Sequence, residues 1–341
     1  MTQKRIALIG LGMAAAPHAR SLLDLADRVA VAAVFSPSAA RRDAFSTSWG
    51  FAPVDCMEVI WNDPSIDAVV ILTPPNTHLD LVRQAADAGK HILLEKPLET
   101  SFERSVELVE TAENAGVKLG VVLQHRFRPA SAALKEIVDS GRLGSLVSAS
   151  ARLYNWRPQS YYDEPGRGTR NRDGGGVLLT QAIHTLDLMI GLVGVPLEVT
   201  AYATTSPVHS METEDLAVAA VRFDNGALGT ITATTAAFPG YPDAIDVIGA
   251  KGTARLDGAH LTVNFHDGSH VTATDISEGG GAGADPMAFS HHHHRAVLAD
   301  FLDAIDNNRA PLVSGREALK VHRMIEAMLR SAQSGKREAV R

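Results

Sequence analysis

One cysteine, Cys56, stands in a chain of 341 residues. No intrachain disulfide can form, so a packed core must carry the stability, and a reducing compartment fits this usage. Long apolar runs are also missing. None approaches the ~18 residues that a membrane span needs, and no basic leader with an apolar core precedes the first short strand. The chain therefore reads as soluble and cytoplasmic. Nor is charge of one sign concentrated. Lys and Arg number 32 against 39 Asp and Glu, a net charge of −7, with the basic residues scattered. That argues against nucleic acid or an anionic membrane as the main partner, and for a small-molecule substrate. No internal repeat is visible.

What is present is ordinary for a globular protein: 45% hydrophobic and 21% charged residues, with a length that suggests two domains. In the first third, nearly continuous apolar runs at Ile6–Ile9, Val29–Phe35, Ala68–Leu72, His91–Leu94 and Lys118–Leu123 alternate with helix-like stretches at Ala14–Leu25, His78–Ala88 and Ser101–Ala115. Strands without polar alternation belong to a parallel sheet covered on both faces, so residues 1–125 read as a doubly wound α/β domain. Beyond Arg126 strands follow one another. Asp224-Asn225-Gly226 and Asp267-Gly268 mark hairpins between Leu216–Phe223 and Ala227–Thr235, and between Leu261–Phe265 and Ser269–Thr274. Residues 126–341 thus read as an α+β domain with a mostly antiparallel sheet. Helices are expected at Val177–Leu192, Arg295–Asn307 and Arg316–Ser334, and a flexible loop at Gly279–Ala284.

The opening strand runs into Gly10-Leu11-Gly12-Met13-Ala14-Ala15, a G-x-G-x-x-A turn that starts a helix. Gly10 permits the tight turn, Gly12 lets a pyrophosphate approach the backbone, and Ala15 lets helix and strand pack closely. The pyrophosphate would rest on the helix N-terminus, with Met13 in the same turn. An ordinary glycine turn is the other reading, but position favours dinucleotide binding. The second strand ends at Phe35, followed by Ser36-Pro37-Ser38, Arg41 and Arg42. No acid stands there to accept from a ribose 2′-hydroxyl. Ser36 and Arg41 suit a 2′-phosphate, so the cofactor reads as NAD(P) with a lean to NADP, unless the arginines only begin a solvated helix.

Two further turns fall at carboxyl ends of parallel strands, where open α/β sheets bind ligands. Thr73-Pro74-Pro75-Asn76-Thr77-His78 supplies Thr73, Pro74, Asn76 and His78 as cofactor-facing candidates; Glu95-Lys96-Pro97 supplies Glu95 and Lys96. A partly buried Lys96 amine beside a cationic nicotinamide would exchange protons near neutral pH. A surface lysine on a turn is the alternative.

Taken in order, Gly10-Leu11-Gly12, Thr73-Pro74-Pro75, Glu95-Lys96-Pro97 and Gly174-Gly175-Gly176 with His184 and Asp187 resemble the glucose–fructose oxidoreductase/inositol dehydrogenase/rhizopine-catabolism family, over most of the chain. The resemblance implies a Rossmann domain followed by an open-faced sheet that often forms homodimers or homotetramers. It also implies a reactive site between the domains, Lys96 and His184 as catalytic candidates, and a cis Lys96–Pro97 peptide. One departure stands out: Thr180 occupies the position where inositol-dehydrogenase-like members carry Asp. Threonine is no base at neutral pH. Thr180, His184 and Asp187 would share a helical face at i, i+4 and i+7, leaving Asp187 to orient His184 or to cap a packing contact. The stretch from Tyr161 to His184 looks closer to sugar and nucleotide-sugar dehydrogenases.

Substrate-binding candidates are Arg126, Tyr162, Arg167, Thr180, Gln181 and His184. Seven arginines (Arg126, Arg128, Arg152, Arg157, Arg167, Arg170 and Arg172) interleave with Tyr154, Trp156, Tyr161 and Tyr162. Arginine forks suit an anionic sugar and aromatic faces stack on sugar rings, whereas packing and solvation are the plainer reading. His291–His294 has no accompanying Cys or paired acid, so no metal is expected and the run reads as a loop-to-helix junction. Glu212-Thr213-Glu214-Asp215 reads as a solvated lead-in to a strand. The chain is thus expected to be an NAD(P)-dependent oxidoreductase acting on a carbinol or keto carbon of a sugar, sugar acid or cyclitol. An NAD-dependent glycosidase of the same fold and a non-catalytic dinucleotide-binding regulator are the competing readings.

Overall fold

The computed structural model describes residues 3–275, 282–285 and 289–341. Of the expected glycine loop, residues 279–281 lie outside the described residues. Two compact units form: Met1–Val122 with His291–Leu319, and Leu123–Ser290 with Lys320–Arg341.

In the first unit, strands β1 (Lys4–Ile9), β2 (Val29–Phe35), β3 (Pro53–Val54), β4 (Ala68–Ile71), β5 (His91–Leu94) and β6 (Leu119–Val121) form one sheet in the order β3-β2-β1-β4-β5-β6. Every pairing is parallel. Helices α1 (Ala15–Asp24), α2 (Ala39–Trp49), α3 (Glu58–Asn62), α4 (His78–Asp87) and α5 (Phe102–Asn114) connect them. The apolar runs are buried as their lack of alternation requires: all four residues of β4 and the last four of β1 are inaccessible. Strand order reverses between β1 and β4, which makes the carboxyl ends of these two strands the topological switch point.

The segment His291–Leu319 corrects the expected division, which assigned it to the second domain. It belongs to the first because it completes that sheet's edge. Val121 N donates to Val313 O at 2.9 Å, and Gly120 bridges Ser314. A Cβ on Gly120 would come within 3.1 Å of the Phe301 ring, so the glycine lets that ring close onto β6.

The second unit begins with a 3-10 turn (Gln124–Phe127) and α6 (Pro129–Asp139). After β7 (Leu146–Tyr154) come the short helices α7 (Gln159–Tyr162), α8 (Arg170–Asp173) and α9 (Val177–Thr180), then α10 (Ile183–Val193). Strands β8 (Pro196–Thr204), β9 (Leu216–Phe223), β10 (Leu228–Thr234), β11 (Ala244–Gly249), β12 (Gly252–Asp257), β13 (His260–Phe265) and β14 (His270–Thr274) follow. Helices α11 (His292–Asp306) and α12 (Gly315–Ser334) and strand β15 (Glu338–Ala339) end the chain. The nine-stranded sheet has the order β14-β13-β12-β11-β7-β10-β9-β8-β15. All its pairs are antiparallel except β7–β10. Both expected hairpins form, with Gly226 (φ +84°) and Gly268 (φ +86°) in the left-handed region that their turns require. Burial alternates along β9, so one face packs inward while the other is exposed, carrying Tyr202, Val218 and Leu228.

Two expectations fail here. The single helix over Val177–Leu192 is two, because the hydrogen-bond ladder slips at Gln181 and Ala182: Ala182 N donates to Val177 O rather than one residue further along. The segments Arg170–Thr180 and Ile183–Val193 meet at 51°. Thr180 therefore does not share a straight helical stripe with His184 and Asp187. Glu212–Asp215 is also not a solvated lead-in. Thr213 and Asp215 are buried, Asp215 accepting from Ser206 and facing His209 Nδ1 at 2.6 Å. Glu214 accepts from Gly176 N and Leu178 N at the start of α9. Among the described residues no single helix is long and apolar enough to cross a membrane.

Candidate active site

The glycine turn is built for close approach. Gly10 has φ +101°, and a Cβ there would lie 2.7 Å from Leu72 C and 2.9 Å from Thr73 N, so only glycine lets the β1 and β4 turns touch. Gly12 has nothing within 4 Å of where a Cβ would stand, and Ala15 is fully buried against the sheet. The first turn of α1 carries no acid and its N-terminus has no side-chain cap, while Met13 is exposed beside it. An open backbone cradle leading into an uncapped helix N-terminus at a switch point suits a dinucleotide pyrophosphate.

Beyond β2, Ser36 is 2% exposed and turned inward, which corrects its assignment to a 2′-phosphate. Arg42 folds back on the carbonyls of Ser36 (2.7 Å) and Pro37 (3.4 Å). Arg41, exposed in the first turn of α2, is the cation left facing solvent there.

At the end of β4, Thr73 is half-buried and bonded to Thr77 Oγ1 at 2.7 Å, while Pro74 and Asn76 are exposed. His78 is not presented to a cofactor. It is fully buried, with Nε2 2.8 Å from Thr73 O and Nδ1 3.0 and 3.1 Å from Pro97 O and Leu98 O. Burial pushes its pKa down, against three carbonyls that favour the charged form. Its role is to tie the Thr73 turn to the Lys96 turn. The Lys96–Pro97 peptide is cis, as the resemblance implied. Glu95 is also inside: Oε2 accepts from Lys96 N at 3.0 Å and Oε1 lies 2.9 Å from His18 Nε2. It positions the turn, leaving the half-buried Lys96 as the group at the edge.

In the second unit the structure rearranges the substrate candidates. Asp187, fully buried, receives Arg126 as a fork, Nε to Oδ2 at 2.7 Å and Nη2 to Oδ1 at 2.6 Å. This corrects the role expected of Arg126, which is an internal ion-pair partner of Asp187. His184 stacks on His125, ring centroids 4.9 Å apart at 29°. His125 Nε2 is 2.6 Å from Arg128, which donates to Asp243 at 3.1 Å. Tyr162 is turned inward, its hydroxyl 2.7 Å from Thr235 Oγ1, and burial raises its pKa to about 12. That removes it from the substrate candidates. Gln181 accepts from Arg157 at 3.1 Å and donates to Tyr161 at 3.2 Å. Arg167 lies 4.0 Å over the Tyr161 ring and pairs with Glu164. Thr180 Oγ1 donates back to Gly176 O at 2.7 Å.

His125 and Asp243 were missed in the sequence reading. His125 could have been found, as a second histidine immediately before Arg126. Asp243 gave no signal, since it follows a turn far away in the chain.

Residues 4–123 match the oxidoreductase family's NAD-binding Rossmann fold, and residues 131–255 match the GFO/IDH/MocA C-terminal domain. The chain is 28% identical over 330 residues to scyllo-inositol 2-dehydrogenase (NAD(+)) of Bacillus subtilis, covering 93% of this chain and 90% of that one. It is 29% identical over 329 residues to myo-inositol 2-dehydrogenase of Thermotoga maritima, covering 92% and 91%. Among solved structures, the WlbA dehydrogenase of Bordetella pertussis, in complex with NADH and UDP-GlcNAcA, is similar with a TM-score of 0.85, 27% identity and 99% of both chains covered.

Proposed function

Because this chain belongs to the GFO/IDH/MocA family of NAD-binding oxidoreductases, we propose that it interconverts a carbinol and a ketone on a neutral polyhydroxylated ring, a sugar or a cyclitol. It is an NAD(P)-dependent enzyme acting on CH–OH groups, as its relatives are. The observation that carries the site is the Gly10 turn packed on Leu72–Thr73 at the switch point, with Lys96 one strand further along the same edge. Bound NAD(P)+ supplies the hydride acceptor. Lys96 Nζ takes the hydroxyl proton as the carbinol C–H bond breaks, and returns it to the alkoxide in the reverse direction. Glu95 and His78 hold the Lys96 turn from behind. On the second unit, His184 is the group proposed to hydrogen-bond the substrate, with Thr180 and Gln181 near it in the chain.

A neutral substrate is favoured because three of the seven arginine forks are already occupied. Arg126 is committed to Asp187, Arg128 to Asp243 and Arg167 to Glu164, so their charges are answered within the protein. The absence of a carboxylate at the end of β2, with Arg41 exposed there, favours NADP+ over NAD+. The same reading includes a homodimer or homotetramer formed on the exposed face of the nine-stranded sheet.

The test is nicotinamide absorbance with each cofactor against neutral sugars, cyclitols and uronic acids, with Lys96→Ala alongside. Turnover of neutral polyols should fall by about 100- to 10,000-fold in the variant while cofactor affinity stays within a few-fold. Unchanged turnover would remove Lys96 from the mechanism. A preference for uronic acids would overturn the neutral substrate.

A further inference from the structure

Three side chains from distant parts of the sequence meet inside the first unit. His18 lies in the middle of α1, Glu95 directly follows β5, and His294 lies in the first turn of α11. His18 is 2% exposed, Glu95 9% and His294 4%. One nitrogen or oxygen from each falls within 4.8 Å of the other two, and His18 Nε2 and Glu95 Oε1 are 2.9 Å apart. The two imidazoles meet edge to face, centroids 5.1 Å apart at 87°.

The chemistry of the three groups is that of ligands: two imidazoles and a carboxylate, all buried, with one donor atom of each converging on one point. A carboxylate this deep needs a positive partner at close range.

We infer that His18, Glu95 and His294 form a binding site for a first-row divalent cation, with Zn2+ the best match to two imidazoles and a carboxylate. Ligand atoms around tetrahedral zinc, with bonds of about 2.0–2.1 Å, are about 3.3 Å apart. The His18–Glu95 separation of 2.9 Å is a little short of that value and no separation exceeds 4.8 Å, so side-chain rotations complete the set. The cation replaces the hydrogen shared by His18 and Glu95, and a neutral His18 needs only to carry its proton on Nδ1. Glu95 Oε2 keeps the Lys96 amide, an outer contact of the kind that fixes a ligating carboxylate. The site's work is structural. It joins α1, the end of β5 and α11, and so fastens the returning segment His291–Leu319 to the sheet.

The neighbouring histidines provide a control. His291 Nε2 pairs with Asp24 at 2.8 Å, and His292 and His293 lie beyond it in the same run. Metal-stripped protein is titrated with Zn2+ against a competing chelator, and with Co2+ followed by visible absorption. One equivalent per chain is expected, with a rise of several degrees in Tm. His294→Ala and Glu95→Gln should weaken binding by about a hundredfold or more, while the His292→Ala/His293→Ala double variant binds as the parent does. No stoichiometric binding by the parent overturns the site. So does binding that survives in His294→Ala but disappears in the double variant. If His294→Ala fails to fold, the parent's stoichiometry and the double variant still decide.

Discussion

Tyr162 shows how a side chain that suggests recognition becomes a core residue. Its ring packs against His209 at 4.9 Å and its hydroxyl meets buried Thr235. Burial raises its pKa from 10.0 to about 12. A phenol with a raised folded pKa contributes stability that is intact below pH 10 and is lost as pH rises through 12, because the unfolded chain ionises first. The loss is about 2–3 kcal/mol. Denaturation followed between pH 9 and 12 should show this decline, and Tyr162→Phe should flatten it. Equal slopes in the two proteins would place the alkaline sensitivity elsewhere. The same inward turn explains why residue-level reading of the substrate side failed. Arg126, Arg128 and Arg167 advertise anion binding by type, yet Asp187, Asp243 and Glu164 answer them, and two of those acids lie more than fifty residues away in the sequence.

At the scale of elements, the start of α9 depends on one glycine. A Cβ on Gly176 would stand 1.8 Å from Glu214 O, the oxygen that accepts from Val177 N at 2.7 Å. Glu214 also holds two amides of that turn with its carboxylate. Gly176→Ala should therefore cost about 3 kcal/mol or more, read as a lower midpoint in urea, while Gly175→Ala meets only the Leu179 side chain and costs less. Equal effects would contradict this account. The parallel-sheet elements were legible because uninterrupted apolar strands and helical periodicity report burial directly. The hairpins were legible because Gly226 and Gly268 announce their turns. The break at Gln181 was not, because both halves are apolar and neither glycine nor proline marks the joint. His18 with Glu95 and His294 was illegible for the same reason as Asp187 with Arg126: sequence spacing says nothing about which distant segments pack together.

For the molecule as a whole, the exposed face of the nine-stranded sheet carries several large apolar side chains. Tyr202 is 74% exposed and Leu228 60%, on strands whose other face is core. Sedimentation should show a dimer or tetramer, and Tyr202→Lys with Leu228→Lys should shift it toward the monomer. A parent that sediments as a monomer would remove the proposed interface. The discontinuous first unit has a different consequence, one of timing. A ribosome makes β6 early and then synthesises the entire nine-stranded sheet, apart from β15, before Phe301, Val313 and Ser314 emerge to close that edge. Until then the cofactor-binding half waits with an open strand, and its completion is scheduled by the production of its neighbour.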